Sequence, residues 1–211
     1  DHEVDKNPFF LDDQPWAFPK QGFFMTDAFS DYAAQFVEEA SGREQPFFLY
    51  VAYLAPHWPL HAREADIAAC RERYTAGWDA IRAARLARQR ELELVPEGWQ
   101  VSPMPDAVPD WETAVEKPWQ TERMAAYAAQ VECMDRGIAR ILGTLRATGA
   151  DDNTVVMFLS DNGAAPDGGV VPSKAGFGFT PDGENDRWRI DRGAIKPGSG
   201  PDNMPGPADT F

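Results

Sequence analysis

Cysteine is scarce in this chain. Cys70 and Cys133 stand far apart among 211 residues and form no Cys-x-x-Cys pair, which excludes a disulfide-rich scaffold and a cysteine-based zinc site. Cys133 sits beside an apolar stripe with helical spacing, so it reads as a buried free thiol. No apolar run approaches the roughly 20 residues of a membrane-spanning helix. Basic residues are also few, 20 against 34 acidic ones for a formal net charge of -14. That balance excludes a general nucleic-acid binder, which needs a cationic face to displace phosphate counterions. It leaves open the local capture of an anion by a metal or a donor cluster. There is no Gly-x-Ser-x-Gly elbow, no phosphate-binding glycine loop and no His-Glu-x-x-His zinc motif. The chain opens on the polar run Asp1-His2-Glu3-Val4-Asp5 without an initiator Met or signal-like start. The expectation is that a leader has been removed or that Asp1 lies inside a longer chain.

What is present has an alternating layout. The first twenty-odd residues, rich in Pro, Asp and aromatics, read as an irregular lead-in. A helix is expected from Thr26 or Asp27, either of which can cap it, with Phe29, Tyr32, Phe36, Val37 and Ala40 at helical spacing and Gly42 as its stop. Phe47 to Leu54 is apolar without alternation, the pattern of a strand buried on both faces of a parallel sheet. Residues 63 to 93 read as helical with a break at Gly77, and their seven arginines outnumber the local acids. A solvated face explains those arginines best, ahead of an anion-attracting rim. Residues 95 to 119 carry five prolines and three tryptophans, so this long connection must pack through its rings. A core-facing helix is predicted from about Glu122 to Thr148, through Met124, Tyr127, Val131, Met134, Ile138, Ile141 and Leu145, with Gly149 as a left-handed stop. Thr154 to Leu159 repeats the buried-strand pattern, and no regular element is expected after Gly163.

Helices interleaved with buried strands indicate an α/β layer fold with a parallel sheet. In such sheets ligands gather beyond the carboxyl ends of the strands. Two polar clusters lie there. His57 follows the first strand and stands between Pro56 and Pro59, whose fixed φ angles restrict the loop; its imidazole can hold a substrate oxygen or deliver a proton to a leaving group. A structural histidine tied within a tight loop accounts for the residue equally well on its own. Asp161 and Asn162 follow the second strand and offer two hard oxygen donors suited to Ca²⁺, with Mg²⁺ the lesser alternative. Asp-Asn-Gly is also a common turn sequence, and a Ca²⁺ shell takes about six to eight oxygens, more than this pair supplies.

Several segments in register resemble the sulfatase family, in particular the arylsulfatases. They are Pro46-Phe47-Phe48-Leu49-Tyr50 leading into Ala55-Pro56-His57-Trp58-Pro59-Leu60-His61-Ala62; Tyr74-x-x-Gly77-Trp78-Asp79; Met134-Asp135-Arg136-Gly137-Ile138; Phe158-Leu159-Ser160-Asp161-Asn162-Gly163; and Met204-Pro205-Gly206-Pro207-Ala208-Asp209-Thr210-Phe211. The resemblance implies an alkaline-phosphatase-like α/β fold, a mainly parallel sheet flanked by helices, incomplete in this chain. It implies hydrolysis of sulfate monoesters by a formylglycine nucleophile, with Ca²⁺ polarising the sulfate. By the same resemblance Asp161 and Asn162 correspond to metal ligands, and His57 to the histidine that contacts the sulfate ester. No role carries onto His61. Neither Cys70 nor Cys133 is followed by Pro-x-Arg, so neither matches the formylglycine precursor, and Lys174 and Lys196 do not match the context of the family's last pocket lysine.

The chain is therefore expected to be the central part, over 1–211, of one sulfatase catalytic domain, inactive alone and exposing sheet edges. The expected substrate is a small-molecule or carbohydrate sulfate ester, with neither a nucleic-acid partner nor a membrane span. The family favours a periplasmic or extracellular setting. A phosphomonoester, phosphodiester or phosphonate hydrolase of the same superfamily and a non-catalytic truncated homologue are the rivals.

Overall fold

A computed structural model describes residues 9–17, 23–57, 60, 62–104 and 108–163. Its contacts divide into two units, residues 1–53 with 136–155 and residues 54–135 with 156–211.

The first unit begins with an antiparallel hairpin where the sequence predicts an irregular lead-in. Strand β1 (Phe9–Leu11) pairs with β2 (Gln14–Trp16), Phe9 opposite Trp16 and Leu11 opposite Gln14. Asp12 takes a positive φ of 52° in the turn, which a short polar side chain tolerates. The Trp16 ring meets Phe9, Phe23 and Tyr32 edge-on at 6.5, 5.8 and 5.9 Å. Helix α1 (Met25–Ser41) starts without a side-chain cap at Phe24, so Thr26 and Asp27 fall inside it rather than capping it. Its buried stripe is Thr26, Ser30, Ala33 and Val37, sharing only Val37 with the predicted face. The aromatic residues are diverted to the surface aromatic cluster: Tyr32 packs on Trp16 and Phe36 stays 39% exposed. Ser30 can be buried because its hydroxyl is satisfied, donating to the Thr26 carbonyl at 2.7 Å and sharing a hydrogen bond with Tyr53 Oη at 2.8 Å. Gly42 ends the helix with a right-handed φ of -77°, so it stops the chain without the left-handed turn that glycine allows.

Ser30 and Tyr53 close over Gly137, in the last part of helix α4 (Lys117–Thr148). A Cβ at Gly137 would stand 2.9 Å from Tyr53 Oη and 3.0 Å from Ser30 Cβ; the missing side chain is what lets the three meet. Gly149 ends α4 as predicted, with φ +72° and the Ala150 N–H donating to the Leu145 carbonyl at 3.0 Å.

In the second unit α2 (Glu64–Tyr74) and α3 (Gly77–Glu91) meet at the predicted break. Gly77 has φ +82°, and a Cβ there would fall inside the Trp111 ring. Trp111 opens a 3-10 turn (Trp111–Thr113), donates its backbone N–H to Asp79 Oδ2 at 2.8 Å and packs edge-on against Trp78 at 4.7 Å. Trp78 Nε1 donates to the Pro109 carbonyl at 3.0 Å, so the Pro-rich connection packs through Trp111, while its Trp99 stays 66% exposed. Helix α4 begins at Lys117, before the predicted Glu122, with Pro118 in the first turn, where its missing N–H leaves no bond unmade. The core joins Leu60 and Ala62 to Ile67 and Cys70 of α2 and to Ala125, Ala126, Ala128 and Ala129 of α4.

The two segments predicted as buried strands form no strand and make no ladder among the described residues, whose sheet is the β1–β2 hairpin. Along 47–54 exposure alternates: Phe48, Tyr50 and Leu54 are 88%, 79% and 61% exposed, while Leu49, Val51 and Tyr53 turn inward. From Val155 to Leu159 every side chain is exposed. The predicted parallel sheet is thus not formed among these residues; an extended run becomes a sheet strand only when a partner supplies its hydrogen bonds.

Candidate active site

Each polar cluster directly follows one of these segments. After Leu54 the chain turns, the His57 backbone N–H donating to the Leu54 carbonyl at 2.8 Å, and the Ala55–Pro56 peptide bond is cis. His57 is exposed, whereas Leu60 and Ala62 are 2% and 3% exposed within the α2–α4 core. Trp58, Pro59 and His61 lie outside the described residues.

Asp161 and Asn162 occupy a tight turn. The Asn162 backbone N–H donates to Asp161 Oδ1 at 3.0 Å, and Ser160 Oγ donates to the Asn162 carbonyl. Asn162 Nδ2 donates to the Gly163 carbonyl at 2.8 Å. A carboxylate and an amide oxygen are the hard donors that Ca²⁺ takes. Their chemistry fits such an ion as part of a shell. Among the described residues no group of three or more His, Cys, Asp and Glu side chains forms that could hold a metal. Local bonds therefore account for the Asp161–Asn162 turn as it stands.

The arginines of α2 and α3 are mostly engaged within the protein. Arg71 pairs with Glu122 and, at 2.6 Å, with Glu64; Arg73 pairs with Glu132 at 2.7 Å; Arg63 with Asp66 at 2.8 Å; and Arg88 with Glu91 at 2.6 Å. Arg82 and Arg90 donate to the carbonyls of Ser102 and Trp99. Hydrogen bonds donated to the Glu122 and Glu132 carboxylates hold the Arg71 and Arg73 guanidiniums still more firmly protonated than usual. An anion-attracting rim needs uncompensated charge, so the solvated, ion-paired face is the reading these contacts favour. The α2–α4 pairs were not legible locally, because Glu122 and Glu132 lie far along the chain from Arg71 and Arg73.

Cys70 and Cys133 are both buried free thiols. Burial pushes the Cys70 thiol above its ordinary range, with the nearby Glu132 carboxylate adding to the effect, so it has little thiolate character and is a poor nucleophile. Burial also raises the Tyr74 phenol.

Comparison with known proteins places the chain in a family. The sulfatase family profile matches residues 4–192. The chain belongs to the sulfatase family. It is 38% identical over 138 residues to an uncharacterized sulfatase of Schizosaccharomyces pombe, a match covering 63% of this chain and 25% of that protein. An arylsulfatase of Klebsiella aerogenes is 32% identical over 148 residues, covering 68% of this chain and 31% of the relative. An uncharacterized sulfatase of Escherichia coli is 29% identical over 163 residues, 76% of this chain and 20% of the relative. The matched sulfatase segment thus spans less than a third of each of these proteins. Membership implies an alkaline-phosphatase-like α/β fold, of which the described residues show the helices and one short hairpin. No helix among them is long and apolar enough to cross a membrane.

Proposed function

We propose that these residues are the central part of a longer sulfatase catalytic domain that hydrolyses sulfate monoesters. Carrying this reading is the placement of Ala55–His61 and Ser160–Gly163, each directly after an apolar segment within a chain of sulfatase ancestry. In that domain 47–54 and 154–159 are strands of a mainly parallel sheet, and their carboxyl ends bring the two clusters to one site.

In this reading the His57 imidazole donates an N–H hydrogen bond to the bridging oxygen of the ester and acts as the general acid for the departing alkoxide or phenoxide. Its exposed position, after a turn closed by the Leu54 carbonyl, suits a group that must reach solvent-delivered substrate. Asp161 and Asn162 would hold a Ca²⁺ ion, which when bound supplies Lewis-acid polarisation of the sulfate oxygens. The nucleophile implied by the family, a formylglycine, has no precursor here, since Cys70 leads into Arg71-Glu72-Arg73 and Cys133 into Met134-Asp135-Arg136. The 211-residue polypeptide alone is therefore expected to be inactive. The substrate in this reading is a small-molecule or carbohydrate sulfate ester.

Initial rates on 4-nitrophenyl sulfate and 4-nitrophenyl phosphate, with Ca²⁺ or with a chelator, test the assignment on the full-length protein. The reading expects turnover of the sulfate at least about tenfold above the phosphate, which is about 1.4 kcal/mol of transition-state preference, and loss of it on chelation. Equal or faster turnover of the phosphate would assign the protein to phosphate-ester chemistry instead. Release of 4-nitrophenol by the 211 residues alone would overturn the proposed division of the site.

A further inference from the structure

The loop that carries His57 ends in the core. Leu60, 2% exposed, and Ala62, 3% exposed, pack with Ile67 and Cys70 against a floor made by Ala125, Ala126, Ala128 and Ala129 of α4. Methyl side chains on that floor leave room for branched ones opposite, and Leu60 and Ile67 are the two large aliphatic residues that fill it. Immediately after Ala62 the chain is fixed again, because the Asp66 and Ile67 N–H groups both donate to the Arg63 carbonyl as α2 begins. On the other side of His57 lies the turn closed on Leu54. His57 itself is exposed. The first fully packed side chain after it, among the described residues, is Leu60, three positions on and within about 11 Å of Cα-to-Cα reach.

We infer that Leu60 is a positioning residue for His57: its seat on the alanine floor of α4 fixes the backbone from which the imidazole reaches the ester. This rests on His57 acting in ester hydrolysis, as proposed above. A buried leucine also stabilises the fold, so its role in positioning shows only where the effect on turnover depends on His57 being present. Removing one methylene, Leu60→Val, is mild enough to keep the core, and Leu60→Met conserves volume.

The experiment is a double-mutant cycle in the full-length protein on 4-nitrophenyl sulfate, run well below the thermal transition of each variant. Leu60→Val is expected to lower kcat about threefold or more with KM within about twofold, and Leu60→Met to restore kcat to within about twofold. In the His57→Ala background the same Leu60→Val change is expected to alter residual kcat less than about 1.5-fold, because the residue through which it acts is gone. An equal fractional loss in both backgrounds, or no loss in either, overturns the inference. Should His57→Ala leave kcat/KM unchanged, the assignment of His57 fails first, and that outcome is separable from a failure confined to Leu60.

Discussion

Gly137 shows how a single residue governs a crossing in this protein. Ser30 and Tyr53 share a hydrogen bond over it, and no side chain larger than hydrogen fits beneath them. Gly137→Ala is expected to destabilise the protein by about 1–3 kcal/mol, as overpacking of a tight contact does, measurable as a lower denaturant midpoint; an unchanged midpoint would show that the contact gives way freely. Cys70 and Tyr74 make a second residue-level prediction, through pH. Both have folded values raised by burial, so the native state keeps protons that the unfolded chain releases. Stability is then complete below the unfolded values and falls as pH rises from about 8.5, first through the thiol and then through the phenol. Urea midpoints measured from pH 8 upward should decline, and Cys70→Ala should flatten the earlier part of that decline. A midpoint that rises over this range contradicts the sign.

Among the elements, the helices and the extended segments differ in what local sequence can specify. The break at Gly77 and the stop at Gly149 are backbone requirements, φ +82° and +72°, and both are readable because glycine meets them without strain. The face of α1 was not readable from apolar spacing. Thr26 and Ser30 occupy its buried stripe through hydrogen bonds to Tyr53 and along the helix, while Tyr32 joins a surface aromatic cluster. Residues 47–54 and 154–159, expected as buried strands, form no strand and are largely exposed; pairing is a property of two segments and no run specifies its partner alone. Their exposure makes a prediction at this scale. The 211-residue chain should self-associate through Val155 to Leu159, whose apolar side chains stand open on both faces, and Phe158→Glu should suppress that association while leaving the helical circular-dichroism signal intact. A wild-type chain that sediments as a monomer would contradict it.

The whole molecule adds what neither residues nor elements contain. His57, Asp161 and Asn162 could be singled out from their places after two apolar runs. Their chemical roles were not legible in that way. On local geometry His57 is an exposed loop residue and Asp161-Asn162 a hydrogen-bonded turn; the proposal that they form one site rests on membership of the sulfatase family and on the proposed sheet that aligns two strand ends. Among the described residues no group of three or more His, Cys, Asp and Glu side chains could hold a metal, and a layered α/β site is assembled from several strand ends distant in sequence. The measurement that bears most directly on this account is kcat/KM for 4-nitrophenyl sulfate by the full-length protein, its His57→Ala variant and its Asp161→Ala variant. A proton-delivering group is worth about 10²–10⁴ in rate, so His57→Ala is expected to fall by at least about a hundredfold, and Asp161→Ala to fall comparably and to require more Ca²⁺ for what remains. If both variants stay within about twofold of the parent, roughly 0.4 kcal/mol of transition-state stabilisation, the two clusters are a loop and a turn and the catalytic centre lies elsewhere.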